Sequence, residues 1–170
     1  METTDMGAAA RGGRAVLGEV ACRYRADEVP PEDLPMVAAE ALAAGLDSPA
    51  LGELAGWSRN ADPRDIRDAF ERALAETGIA LPEPDVARRH ALRRMAARLA
   101  EGAITPADLA KDGWWETEAE TPAERAFVSL LPPCECCVDR TLGLDQGTWE
   151  ADLRSAALAL AASPPPGPGC

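Results

Sequence analysis

Three cysteines fall within four positions of the stretch LPPCECCVDR, residues 131–140: Cys134, Cys136 and Cys137. Three thiolates are most of a zinc tetrahedron, which takes four cysteines or three cysteines and a histidine. The fourth ligand would be His90, Cys22, Cys170 or the carboxylate of Asp139, and His90 is the only histidine in the chain. Zinc sites usually draw on two separated pairs, however, and neighbouring cysteines are strained when they point at one ion. Read as Cys-x-Cys followed directly by Cys, the spacing favours a proline-bounded loop of reduced thiols that contribute only packing. Zinc held by Cys134, Cys136, Cys137 and His90 is the alternative. A redox reading is weaker, because no strand or βαβ pattern precedes the run. Cys170, at the end of a Pro/Gly tail, is expected to give adventitious dimers.

A second group of chemistry-bearing residues lies in DVARRHALRRMAARLAEG, residues 85–102. At about 100° per residue, Leu92, Met95, Ala96 and Leu99 share one helix face. Arg89, His90, Arg93, Arg94 and Arg98 occupy the other, forming a basic ridge on an acidic protein. The ridge is either an anion or acidic-partner site, or a solvated face paired internally with the abundant carboxylates; ordinary helices favour the second. A third group is KDGWWETEAE, residues 111–120. There Trp114 and Trp115 precede Glu116, Glu118 and Glu120, and tryptophan is enriched at interface hot spots. With one Tyr and two Phe in the chain, one of the two tryptophans is expected to fill the core and the other to be exposed. Trp57 and Trp149 are expected as core anchors. The candidate partner-binding set is therefore Trp114, Trp115, Glu116, Glu118, Arg89, Arg93 and Arg94.

Recognisable catalytic motifs are absent: there is no glycine-rich phosphate loop, no Gly-x-Ser-x-Gly and no His-Glu-x-x-His. A nucleophile–histidine site has only His90 to use. No catalytic or cofactor-binding residue is assigned, and the chain is expected not to be an enzyme. The net charge of −12, from 29 acidic and 17 basic residues, repels phosphates and anionic membranes. A basic protein partner suits that field, whereas nucleic acid and membrane do not. The N-terminal stretch shows no apolar run after a charged start, and no segment approaches the ~20 apolar residues of a membrane span. The expected compartment is the cytoplasm, with thiols reduced. These features together predict a small acidic adaptor, accessory or immunity-like protein that acts by surface complementarity.

The elements that must position these residues are helical. Apolar residues make up 46% of the chain but aromatics only 4%, as in a core of small residues between close-packed helices. Ser48-Pro49, Asp62-Pro63, Thr105-Pro106 and Thr121-Pro122 each put a capping side chain before a proline at the first helical position. Gly45, Gly56, Gly78 and Gly102 mark stops. Helices are predicted near 14–26, 32–44, 49–55, 63–77, 84–101, 106–118, 122–130 and 148–162. The fold class is all-α, a single-domain bundle of about seven to eight helices, with 1–13 and 163–170 disordered. VACRYRADEVPPEDL (20–34) aligns with MAARLAEGAITPADL (95–109), and SPA (48–50) parallels TPA (121–123). DIRDAFERAL (65–74) likewise parallels DLRSAALALA (152–161). This order suggests half-repeats over 14–78 and 84–162.

EDLPMVAAEALAAGLDSPALGELAG, RDAFERALAETGIALP and WEADLRSAALAL resemble segments of small helical proteins from actinobacterial genomes, a family without an assigned activity. The resemblance spans most of 14–162 and rests on cap and core patterns. It implies the helical fold and transfers no functional residue; the cysteine run departs from the family pattern.

Overall fold

The computed structural model describes residues 3–110, 113–166 and 170. Among them are nine α-helices and no strand, as the all-α expectation requires. The helices are α1 (Thr3–Arg25), α2 (Leu34–Ala43), α3 (Pro49–Ala55), α4 (Pro63–Glu76), α5 (Pro84–Ala100), α6 (Pro106–Leu109), α7 (Pro122–Val128), α8 (Val138–Leu142) and α9 (Gln146–Ala162). Among the described residues no helix is long and apolar enough to cross a membrane. The chain divides into two compact units, residues 1–87 with 168–170, and residues 88–167.

In the first unit, Leu17, Ala21, Leu34, Leu51, Leu54, Ile66, Phe70 and Leu74 form one buried cluster contributed by α1 to α4. Each fully buried leucine, isoleucine or phenylalanine contributes about 1.5–3 kcal/mol relative to exposure. Ser48 caps α3 by accepting from the Leu51 amide at 3.3 Å, and its own hydroxyl donates to Glu76 at the end of α4. Glu76 also accepts from the Ala50 amide at 2.9 Å. The start of one helix is thereby fastened to the end of the next. Arg14 closes the C-terminal end of α4 by donating to the carbonyls of Thr77 and Gly78.

The second unit is built on α5 and α9. Trp149, Leu153, Ala157 and Leu160 form a helical stripe on α9 with 0% exposure, and the Trp149 indole N–H donates to the Leu130 carbonyl at 2.7 Å. Thr105 and Thr121 open α6 and α7 with complete capping boxes, their partners being Asp108 and Glu124. Each unit has a seven-residue helix opened by Ser-Pro or Thr-Pro and ends on a long helix, but the first places the ten-residue α2 ahead of it, and the second inserts a 3-10 turn and α8 before its last helix. The division between Ala87 and Arg88 lies within α5, a few residues beyond the junction expected at 78–84.

Three expectations about the elements are corrected. Helix α1 begins at Thr3, so residues 3–13 are helical rather than disordered; the Ala8–Ala10 run has the highest helix propensity of any residue type. Met1 and Glu2 lie outside the described residues. The helix expected over 106–118 stops at Leu109, and Gly113 adopts φ 64°, a left-handed conformation that starts a separate 3-10 turn at Trp114–Glu116. Lys111 and Asp112 lie outside the described residues.

The tail is the third correction. Ser163 accepts from Arg93 through both its hydroxyl and its carbonyl. Cys170 forms a disulfide with Cys22 of α1, their Cα atoms 5.3 Å apart. That separation lies within the range a disulfide bridges without backbone movement. These cysteines are therefore not the reduced thiols that were expected, and Cys170 is not free to form dimers. Residues 167–169 lie outside the described residues.

Candidate functional site

The cysteine run sits in the second unit between two anchors. Leu131 and Val138 are 5% and 4% exposed, and Leu130 is tied to Trp149. Pro132 and Pro133 then lead into a 3-10 turn at Glu135–Cys137, in which the Cys137 amide donates to the Cys134 carbonyl at 3.0 Å. The turn continues into α8, whose last turn ends on Gly143 at φ 67°. Thr141 donates its hydroxyl to the Cys137 carbonyl at 2.6 Å. A segment held at both ends and folded this tightly leaves its cysteine side chains little choice but to converge.

Their three sulfurs lie within 4.8 Å of one another. Cys134 and Cys137 are joined as a disulfide, with Cα atoms 5.4 Å apart. Cys136 is a free, exposed thiol, its sulfur 2.6 Å from that of Cys134 and 3.8 Å from that of Cys137. The packing-only loop expected from spacing is corrected on this point. The signal overlooked in the sequence is the outer pair: Cys134 and Cys137 have Cys-x-x-Cys spacing, which one turn of 3-10 helix closes.

No fourth ligand from the expected set joins them. Among the described residues the group contains Cys134, Cys136 and Cys137 alone, so His90 and Asp139 are not part of it. Cys22 and Cys170 are bonded to each other in the first unit. The structure therefore offers three sulfur donors, not the three cysteines and a histidine proposed from the sequence.

The arginine ridge is also corrected as a partner surface. Arg89 is 5% exposed, and its Nε donates to both carboxylate oxygens of Glu124 at 3.1 Å. Glu120 pairs with the same guanidinium from a more exposed position. Glu124 is 1% exposed and also accepts from the amides of Glu120 and Thr121, at 2.9 and 3.0 Å. Burial alone would raise its pKa. The Thr121 amide, Arg89 and the Glu120 amide outweigh that and hold it below the ordinary glutamate value. Arg93 is bound to Ser163, while His90 and Arg94 are half-buried. Arg98 alone of the five ridge residues is exposed. Internal carboxylates thus engage Arg89, and a hydroxyl and a carbonyl engage Arg93.

Trp114 is 4% exposed and Trp115 43%, the split expected for this pair. Arg88 lies over the Trp114 ring at 4.1 Å from its centroid, and it donates to the Gly113 carbonyl and the Thr117 hydroxyl. Trp114 is thus a core residue and leaves the partner-binding set. Trp115, Glu116 and Glu118 remain exposed, with Glu120 beside them. Trp149 is fully buried and Trp57 packs partly buried against the first unit's core.

A cleft of about 420 Å³ lined by Met95, Arg98, Ile104, Asp108 and Leu109 lies in the same unit. Its acid, Asp108, is engaged in the α6 capping box. Against known proteins, the chain matches no family model, no curated protein and no solved structure.

Proposed function

We propose that this is a metal-handling protein which, in its reduced form, binds one soft metal ion through the thiolates of Cys134, Cys136 and Cys137. The observation that carries the reading is the convergence of three sulfurs from four consecutive residues. Sulfurs that share one zinc, each about 2.3 Å from it at tetrahedral angles, stand about 3.8 Å apart. The Cys136–Cys137 separation is 3.8 Å; Cys134 and Cys136, 2.6 Å apart with Cys134 bonded to Cys137, must open to that spacing on reduction. A disulfide needs only two of the three, and Cys136 is exposed, so packing does not explain the third.

Thiolate ligands select univalent copper and zinc. A closed structural zinc site needs four protein ligands, so three sulfurs suit an ion satisfied by trigonal coordination, or zinc with a water in its fourth position. An exposed site on a short turn suits an ion that is passed on, and the net charge of −12 raises the local concentration of cations. The test is cadmium(II), a soft divalent probe whose thiolate complexes absorb in the ultraviolet. Reduced protein should retain about one cadmium per chain with that absorbance, and Cys136→Ser should weaken retention at least tenfold. Reduced protein that retains no cadmium after desalting overturns the proposal.

A second reading keeps the protein as a noncatalytic interaction factor for a basic partner. It is favoured by Trp115, held 43% exposed on a turn beside the exposed Glu116, Glu118 and Glu120. Such a complex weakens steeply with salt and on Trp115→Ala substitution; binding indifferent to both would exclude this surface.

A further inference from the structure

The disulfide and the metal site require the same atoms. Joining Cys134 to Cys137 removes two of the three donors, because a disulfide sulfur is no longer a thiolate and the thiolate is the metal ligand. The one cysteine left as a thiol, Cys136, is exposed, and a single exposed thiol does not hold an ion. We infer that thiol–disulfide exchange controls loading: reduced triads take up the ion, and a low-molecular-weight disulfide releases it by oxidising Cys134 and Cys137. This inference rests on the metal reading above and adds the regulation of that site.

The chemistry balances without a further partner. In the release direction, the Cys134 and Cys137 thiolates give two electrons to a small disulfide RSSR. The S–S bond of RSSR breaks and the Cys134–Cys137 bond forms. Three protons are taken up, two by the departing RS⁻ groups to give two RSH and one by Cys136. The ion leaves with its charge unchanged. Loading is the reverse: two RSH reduce the bond, RSSR is formed, and ion binding displaces three thiol protons.

Three features of the turn support an exchange rather than a permanent crosslink. The bonded pair is spaced Cys-x-x-Cys, so closing it spans a loop with a sequence separation of only 3. Both bonded cysteines are partly accessible rather than buried, which leaves their sulfurs open to attack by an incoming thiolate. The Cys137 amide already donates to the Cys134 carbonyl, so the backbone turn that brings the sulfurs together is hydrogen-bonded independently of the S–S bond. The other disulfide differs: Cys22 is 0% exposed on α1, and its partner is 148 residues away. It serves as an internal control in the same molecule.

The experiment starts from protein whose Cys134, Cys136 and Cys137 are reduced, with and without one equivalent of cadmium(II), and adds oxidised glutathione. Cadmium release is followed by loss of the thiolate absorbance, and the Cys134–Cys137 bond by alkylation and mass spectrometry. The expected result is one cadmium released per Cys134–Cys137 bond formed, with bond formation at least tenfold slower in the loaded protein. Cys136→Ser should form the same bond, and cadmium should no longer slow it. Cadmium retained by protein that carries the Cys134–Cys137 bond overturns the inference while leaving the metal reading intact, as does bond formation at equal rates in loaded and metal-free protein. Failure of the reduced protein to take up cadmium at the outset removes both.

Discussion

Converting Glu124 to glutamine removes the charge of the buried pair with Arg89 and one of the two oxygens that accept from its Nε. Glutamine still serves at the third position of a capping box, so Thr121 and α7 keep their start while the carboxylate is lost. Arg89, 5% exposed, is then left facing Glu120, whose side chain is 68% exposed and screened by solvent. Removing one member of a buried ion pair typically costs about 3–5 kcal/mol, because the other is left desolvated and uncompensated. We expect Glu124→Gln and Arg89→Met each to cost about 3 kcal/mol or more in urea unfolding at pH 7, with unchanged denaturant slope. The double variant should cost clearly less than the sum, with a coupling of about 2 kcal/mol. The pH dependence follows the same pair. The folded pKa of Glu124 is depressed, so its contribution is fully present above the ordinary glutamate value and is lost as pH falls through the lower folded value. The wild type should therefore lose stability below about pH 4.5 more steeply than Glu124→Gln. A glutamine variant within 0.5 kcal/mol of wild type, or fully additive single substitutions, would refute the reasoning and return Arg89 to the residues available for a partner.

Two further outcomes follow from the packing of α1 and from the tail. A Cβ added at Gly13 would meet the Ala44 Cβ at 3.0 Å and its carbonyl oxygen at 3.1 Å, whereas one at Gly18 meets nothing within 4 Å. Gly18→Ala should stabilise by up to about 1 kcal/mol through helix propensity, and Gly13→Ala should destabilise; thermal melts giving both the same sign would contradict the α1–α2 approach. Replacing Cys170 with serine opens a loop whose ends are separated by 148 residues, for which chain-entropy arguments give an upper value of about 5 kcal/mol. Denaturant unfolding without reductant should show a marked loss, and stability equal to wild type would argue against the Cys22–Cys170 bond.

The helix starts were legible because capping is a local matter. Ser48, Asp62, Thr105 and Thr121 each accept from an amide two or three residues ahead, and a proline follows each in the sequence. Asp145 does the same for α9, but without a proline beside it the start was placed two residues late. The short α8 was missed because five residues carry too little periodicity to register. The break at Gly113 was written in the sequence, yet helix propensity alone ranks one glycine as a tolerable cost inside a helix.

The amino-acid sequence by itself determined the all-α class, the four cap-proline helix starts and the scarcity of catalytic motifs, since each depends on residue type or on hydrogen bonds within a turn. It left open where charge and sulfur would go. Arg89 lies on the polar side of α5 by periodicity, but Glu124, 35 residues later, draws it inside. Cys22 and Cys170 are paired across 148 residues, and whether Cys134, Cys136 and Cys137 spread or converge depends on Leu131 and Val138 being held in the core on either side of them. Local patterns carry the energetics of neighbours along the chain; burial and pairing belong to residues brought together only when the helices pack.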